Sequence, residues 1–133
     1  MTVVVGYVPT PEGGAALEEG ILEATWRAHK LIVVNVVVAN NFAETTAADE
    51  KDLDAVRTRL DKTNIPYEIQ QPHTTDAADG LVKAIEAEDA ELVVLAVRRV
   101  SLVSKLLLGS TIQEVLRNTS ARVLIVRPQQ WVN

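Results

Sequence analysis

Short apolar runs alternate along the chain with stripes of helical spacing. Thr2 to Tyr7 holds three consecutive valines and is followed by Pro9, Pro11, Gly13 and Gly14, which predicts a buried strand ending in a loop. From Ala15 to about His29, Leu17, Ile21, Thr25 and Ala28 recur at near-helical spacing while Glu18, Glu19, Glu23 and Arg27 fall mostly elsewhere, so this segment predicts a helix with one face on a sheet. Leu31 to Ala39 is β-branched and apolar except at Asn35, and Asn40 and Asn41 close it with turn chemistry, as a second strand. Thr46 and Asp49 then stand at capping spacing ahead of Leu53, Val56 and Leu60, a helical stripe that runs to about Lys62; Pro66 marks the next boundary.

Tyr67 to Gln71 is short and mostly polar, which suits a strand at the sheet edge. Asp76 to Glu88 predicts a helix facing inward through Ala78, Leu81, Val82 and Ile85, and it leads into the apolar strand Leu92 to Val97. Arg98 to Leu108 reads as a loop, after which Gly109-Ser110-Thr111 opens a helix carrying Ile112, Val115 and Leu116. Ser110 with Gln113, and Thr111 with Glu114, both have the capping-box spacing. Val123 to Val126 is a fifth strand, ended by Pro128. Strands alternating with helices predict parallel pairing through right-handed crossovers, hence a three-layer α/β/α open sheet of five parallel strands; no linker divides residues 1–133, which read as one domain.

Composition agrees with that architecture and narrows the chemistry. The chain of 133 residues is 47% hydrophobic, enough for one core, and only 4% aromatic, as expected of aliphatic strands under aliphatic helices. It has no cysteine, which excludes disulfides and thiolate chemistry. His29 and His73 lie far apart without a ligand spacing, so no metal is assigned. Its start shows no basic leader before the apolar run, and no apolar stretch approaches the ~20 residues that span a bilayer, so a cytoplasmic protein without a membrane partner is expected. A net charge of −5 argues against nonspecific nucleic-acid binding.

Ligands of open parallel sheets collect beyond the carboxyl ends of the strands, which directs attention to the loops after the first and fourth strands. At Gly109-Ser110-Thr111, free amide groups, two hydroxyls and the positive helix end suit phosphate oxygens, and they equally suit capping alone. Arg98, Arg99 and Lys105 in the preceding loop add positive charge, either as an anion partner or as an ordinary solvated face. No P-loop, no G-x-G-x-x-G and no G-x-S-x-G occurs, and no serine has an evident general base, so no catalytic residue is assigned.

Lys105-Leu106-Leu107-Leu108-Gly109-Ser110-Thr111, then Val115-Leu116-Arg117 and Val123-Leu124-Ile125-Val126-Arg127-Pro128, preceded by Asp89-Ala90-Glu91-Leu92-Val93-Val94-Leu95, resemble the universal stress protein family in order and spacing over essentially the whole chain. The resemblance implies an adenine nucleotide α-hydrolase-like sheet of order 3-2-1-4-5 and a small stress-associated binding or regulatory protein, not an enzyme. Nucleotide-binding members carry G-x-x-G, nine residues, then G-Ser or G-Thr, with an Asp after the first strand. In this chain Gly109-Ser110 matches, the earlier glycines fall on Ala96 and Arg99, and Val8 replaces the Asp. The site it implies is therefore degenerate: phosphate contact at Gly109, Ser110 and Thr111 with ATP or AMP as a weak ligand. A metal-dependent ATP hydrolase and a ligand-free dimerisation module are the alternatives. The same resemblance, together with an apolar final strand at a sheet edge, predicts a homodimer through residues 123–126.

Overall fold

Val3, Val4 and Val5 are fully buried, the condition of a strand whose sheet is covered by helices on both faces. The computed structural model describes residues 1–38, 47–97 and 109–128. In chain order its elements are β1 (Thr2–Gly6), α1 (Pro11–Arg27), β2 (Lys30–Val34), β3 (Val37–Val38), α2 (Glu50–Asp61), β4 (Tyr67–Gln70), β5 (His73–Thr74), α3 (Ala77–Ala87), β6 (Leu92–Ala96), α4 (Ser110–Asn118) and β7 (Arg122–Val126). Five strands form one parallel sheet in the order β4-β2-β1-β6-β7, while β3 and β5 pair as a separate two-stranded parallel ribbon. Without that ribbon the order is the expected 3-2-1-4-5.

Side-chain alternation sorts the core into two layers. Val3, Val5, Leu31, Val33, Leu92 and Val94 pack with Leu17, Ile21, Val56 and Leu60 of α1 and α2. Val4, Ile32, Val34, Val93 and Leu95 point the other way, onto Leu81, Ile85 and Val115 of α3 and α4. Each such aliphatic side chain withdrawn from water contributes about 1.5–3 kcal/mol, so the sheet is the main source of stability. Polar β4 occupies one edge and apolar β7 the other, with Val123 to Val126 all half-buried.

Several boundaries differ from the sequence expectation. α1 begins at Pro11, not Ala15, because Thr10 caps it with a side chain that accepts from Gly13 N at 3.2 Å and Pro11 is set for the first helical position; Gly13 and Gly14 therefore belong to the helix and not to a loop. Its buried face is Ala16, Leu17, Gly20, Ile21 and Ala24, whereas Thr25 and Ala28, expected inward, are exposed. The small stripe Ala16-Gly20-Ala24 lets the helix lie close: a β-carbon at Gly20 would sit 2.2 Å from Val5 Cγ2. The second strand breaks after Val34, and α2 is capped by a reciprocal Asp49–Asp52 box; Ala39 and Thr46 lie outside the described residues. On α3, Val82 is half-buried and Gly80 and Ala84 complete the inner face.

Candidate functional site

The neighbours of β1 are β2 on one side and β6 on the other, so the chain reverses its direction of travel across the sheet at this point. Such a switch point splays the connecting loops apart and opens a crevice at the carboxyl ends of the strands. A cleft of about 600 Å³ lies there, walled by Gly6, Tyr7 and Val8 after β1, Val34 and Val36 of the β2 side, and Leu95, Ala96 and Val97 at the end of β6. The starts of α1 (Thr10, Glu12) and α4 (Gly109 to Ile112) complete it, with Ala77 and Leu81 of α3. This volume is in the range of small-ligand sites, about 300–1,000 Å³.

Of the helix starts at the cleft, those of α1 and α4 differ in chemistry. α4 opens on Gly109 as its cap, without a side-chain hydrogen bond, and has no acidic residue in its first turn. Ser110 and Thr111 are thus inside the helix, and neither expected capping box forms; Glu114 instead binds Arg117 and Asn118. The first intrahelical bond is Gln113 N to Gly109 O at 3.1 Å, which leaves the amides of Ser110, Thr111 and Ile112 without a partner among the described residues. α1 is closed by comparison: Gly13 N is taken by Thr10, Pro11 has no N–H, and Glu12 brings a negative charge.

Asn35 holds this end of the sheet together. Fully buried, it donates from Nδ2 to the Tyr7 carbonyl at 2.8 Å and accepts at Oδ1 from Ala48 N at 2.8 Å and Gln71 Nε2 at 3.0 Å. One amide thereby joins the loop after β1 to the segments flanking α2 and β5, and this explains why the apolar run of β2 is interrupted there. Burial pushes the Tyr7 phenol above its ordinary pKa, and the Asp52 carboxylate adds to the effect. At the opposite end of the sheet, Arg27 Nη1 and His29 Nε2 each lie 2.7 Å from a Glu91 oxygen, fastening the end of α1 to the approach of β6.

Five of the residues singled out in the sequence meet in the cleft: Gly109, Ser110 and Thr111 at the helix start, Ala96 and Val8 on the wall. Arg98, Arg99 and Lys105 lie outside the described residues, as does the Trp131–Val132 tail. Sequence reasoning missed Glu12, Thr10 and Asn35. The Thr10-Pro11 pair is a helix-start signal that would have placed Glu12 in the first turn of α1, at the cleft.

The sequence profile of the universal stress protein family matches residues 1–127. A universal stress protein of Mycolicibacterium smegmatis is 38% identical over 126 residues, covering 95% of this chain and 97% of that protein. Among solved structures, a universal stress protein in complex with cAMP superposes with a TM-score of 0.71 at 21% identity, over 97% of this chain and 98% of the other. The universal stress protein of Archaeoglobus fulgidus in complex with dAMP gives 0.67 at 17% identity, over 93% and 94% of the two chains. Sheet order, switch-point cleft and sequence match agree, and the chain belongs to the universal stress protein family.

Proposed function

We propose that residues 1–133 act as one domain, a cytoplasmic stress-response binding protein without catalytic turnover, whose switch-point cleft holds an adenine nucleotide such as AMP or ATP weakly. The observation that carries it is the first turn of α4: among the described residues its three amides have no partner and no side chain caps it, it has no acidic residue, and it opens onto a cleft large enough for a nucleotide. Phosphate oxygens lie against Gly109, Ser110 and Thr111, while Val8 and Ala96 contribute apolar wall. Arg98, Arg99 and Lys105 precede α4 in sequence and add positive charge to its approach. The cAMP and dAMP bound by the two structural relatives support the ligand class.

Affinity is low because Val8 offers no polar group to the nucleoside, and a missing hydrogen bond to a charged partner costs about 1.5–3 kcal/mol. Calorimetry with AMP should give a dissociation constant between about 10 μM and about 1 mM. Silence at several millimolar AMP would refute nucleotide binding, and a constant below about 1 μM would refute the weakness attributed to Val8. The protein pairs through β7 into a homodimer, a proposal supported by the apolar, half-buried edge at Val123 to Val126.

A further inference from the structure

We infer that Glu12 reads the sugar of the bound nucleotide, its carboxylate accepting hydrogen bonds from the ribose 2′- and 3′-hydroxyls; the inference rests on the nucleotide reading above. Three helices start at the cleft, and their chemistry orients an anionic ligand. α3, which begins at Ala77, is closed by the Asp76 cap and carries Asp79 in its first turn, so the contrast at the cleft wall is between α1 and α4. The α4 end offers bare amides, whereas the α1 end has its Gly13 amide already engaged by Thr10 and carries the Glu12 carboxylate. A phosphate is attracted to the first and repelled by the second, so the part of the ligand that reaches Glu12 is the nucleoside.

Glu12 is suited to that part. It is half-buried, lines the cleft, and makes no hydrogen bond or ion pair among the described residues, although Glu18 and Glu23 of the same helix are paired with Arg59 and Arg27. An ionised carboxylate only accepts, through two oxygens, and therefore seeks two donors. A vicinal diol presents two hydroxyls side by side, and an acidic residue on the ribose hydroxyls is a recurring solution in dinucleotide-binding sheets. Val8, Val34, Val36, Leu95 and Val97 of the cleft wall are apolar and carry no side-chain acceptor, and Glu12 is the one carboxylate among the described lining residues.

A carboxylate in a first turn also favours its own helix, by about 0.3–1 kcal/mol, without any ligand. Calorimetry on the wild type and Glu12→Gln, with AMP and 2′,3′-dideoxy-AMP, separates the two roles by sign. Wild type should bind AMP about tenfold more tightly than the dideoxy analogue, and Glu12→Gln should lose about tenfold for AMP while the dideoxy constant stays within about twofold. If Glu12 serves only the helix or only repels phosphate, Glu12→Gln binds both nucleotides equally or more tightly, and the inference is wrong. Equal affinity of wild type for the two nucleotides overturns the sugar contact but leaves nucleotide binding intact; failure to bind either overturns both. Should Glu12→Gln not fold, Glu12→Ala measured with the same two nucleotides takes its place, with the same outcomes for and against.

Discussion

Gly13→Ala and Gly14→Ala should shift stability in opposite directions, although the two positions are adjacent in one helix. A β-carbon at Gly13 would fall 1.6 Å from the Val8 carbonyl oxygen, while one at Gly14 meets nothing within 4 Å, and neither glycine has a positive φ. The obstructing oxygen is backbone and already accepts from Thr10 N at 2.8 Å, so no rotamer relieves the clash and the start of α1 must move away from the loop after β1. Overpacking of this kind costs about 1–3 kcal/mol, here at the upper end, against about 1 kcal/mol gained from replacing glycine by alanine in a helix. The net for Gly13→Ala is about 1–2 kcal/mol of destabilisation; Gly14→Ala keeps only the gain, about 0.5–1 kcal/mol. At about 2.1 cal/mol/K per residue, 1 kcal/mol moves the midpoint of this chain by roughly 3–4 °C. Scanning calorimetry should therefore show Gly13→Ala lower by about 4–8 °C and Gly14→Ala higher by about 2–4 °C. Shifts of the same sign would refute the claim that close contact with Val8 sets the start of α1.

Asn35→Ala strands the Tyr7 carbonyl and the Ala48 amide, and should cost about 2–4 kcal/mol by urea denaturation; a change below about 0.5 kcal/mol would mean that water replaces the amide. The hydrogen bond to His29 holds the Glu91 carboxyl below its ordinary value of 4.5, against burial and aided by Arg27. A depressed folded-state pKa contributes stability that is present above about pH 4.5 and is lost as pH falls through the folded value, so the gap in melting temperature between wild type and Glu91→Gln should be open at about pH 6 and narrow progressively as pH falls below about 4.5. Ile125→Lys, at the open edge, should turn a dimer into a folded monomer in sedimentation equilibrium; a wild type that is monomeric at roughly 100 μM refutes pairing through β7.

The sheet is legible in the sequence because parallel strands buried on both faces must be continuously apolar, and Val3 to Val5, Leu31 to Val34 and Leu92 to Leu95 are so. Where the pattern misleads, a distant partner or a steric requirement decides. Val36 to Val38 continues the apolar run of β2, but the Asn35 amide needs Tyr7, Ala48 and Gln71, none adjacent in sequence. Gly13 resembles loop chemistry and is required by proximity to a carbonyl inside a helix. At α4 the cap falls on Gly109, one residue before the hydroxyls whose spacing suggested a box. The α4 start of the candidate site is legible through its family motif; the Glu12 end is hidden by placing α1 four residues late.

β1 pairs with β2 across a short separation, as at Val3–Leu31, but its other edge waits for β6, where Val3 meets Leu92, 92 − 3 = 89 residues further along. During synthesis at about 5–20 residues per second, that edge of three valines is without its partner for roughly 4–18 s. β1 is therefore made well before its second neighbour, and the growing chain carries an apolar strand with one unpaired edge until β6 emerges. A fragment ending at Glu91 should lack cooperative thermal unfolding by circular dichroism, since a sigmoidal melt would show that the sheet closes without β6. On that expectation, the interval before β6 arrives is when the nascent chain is most open to chaperones and to aggregation.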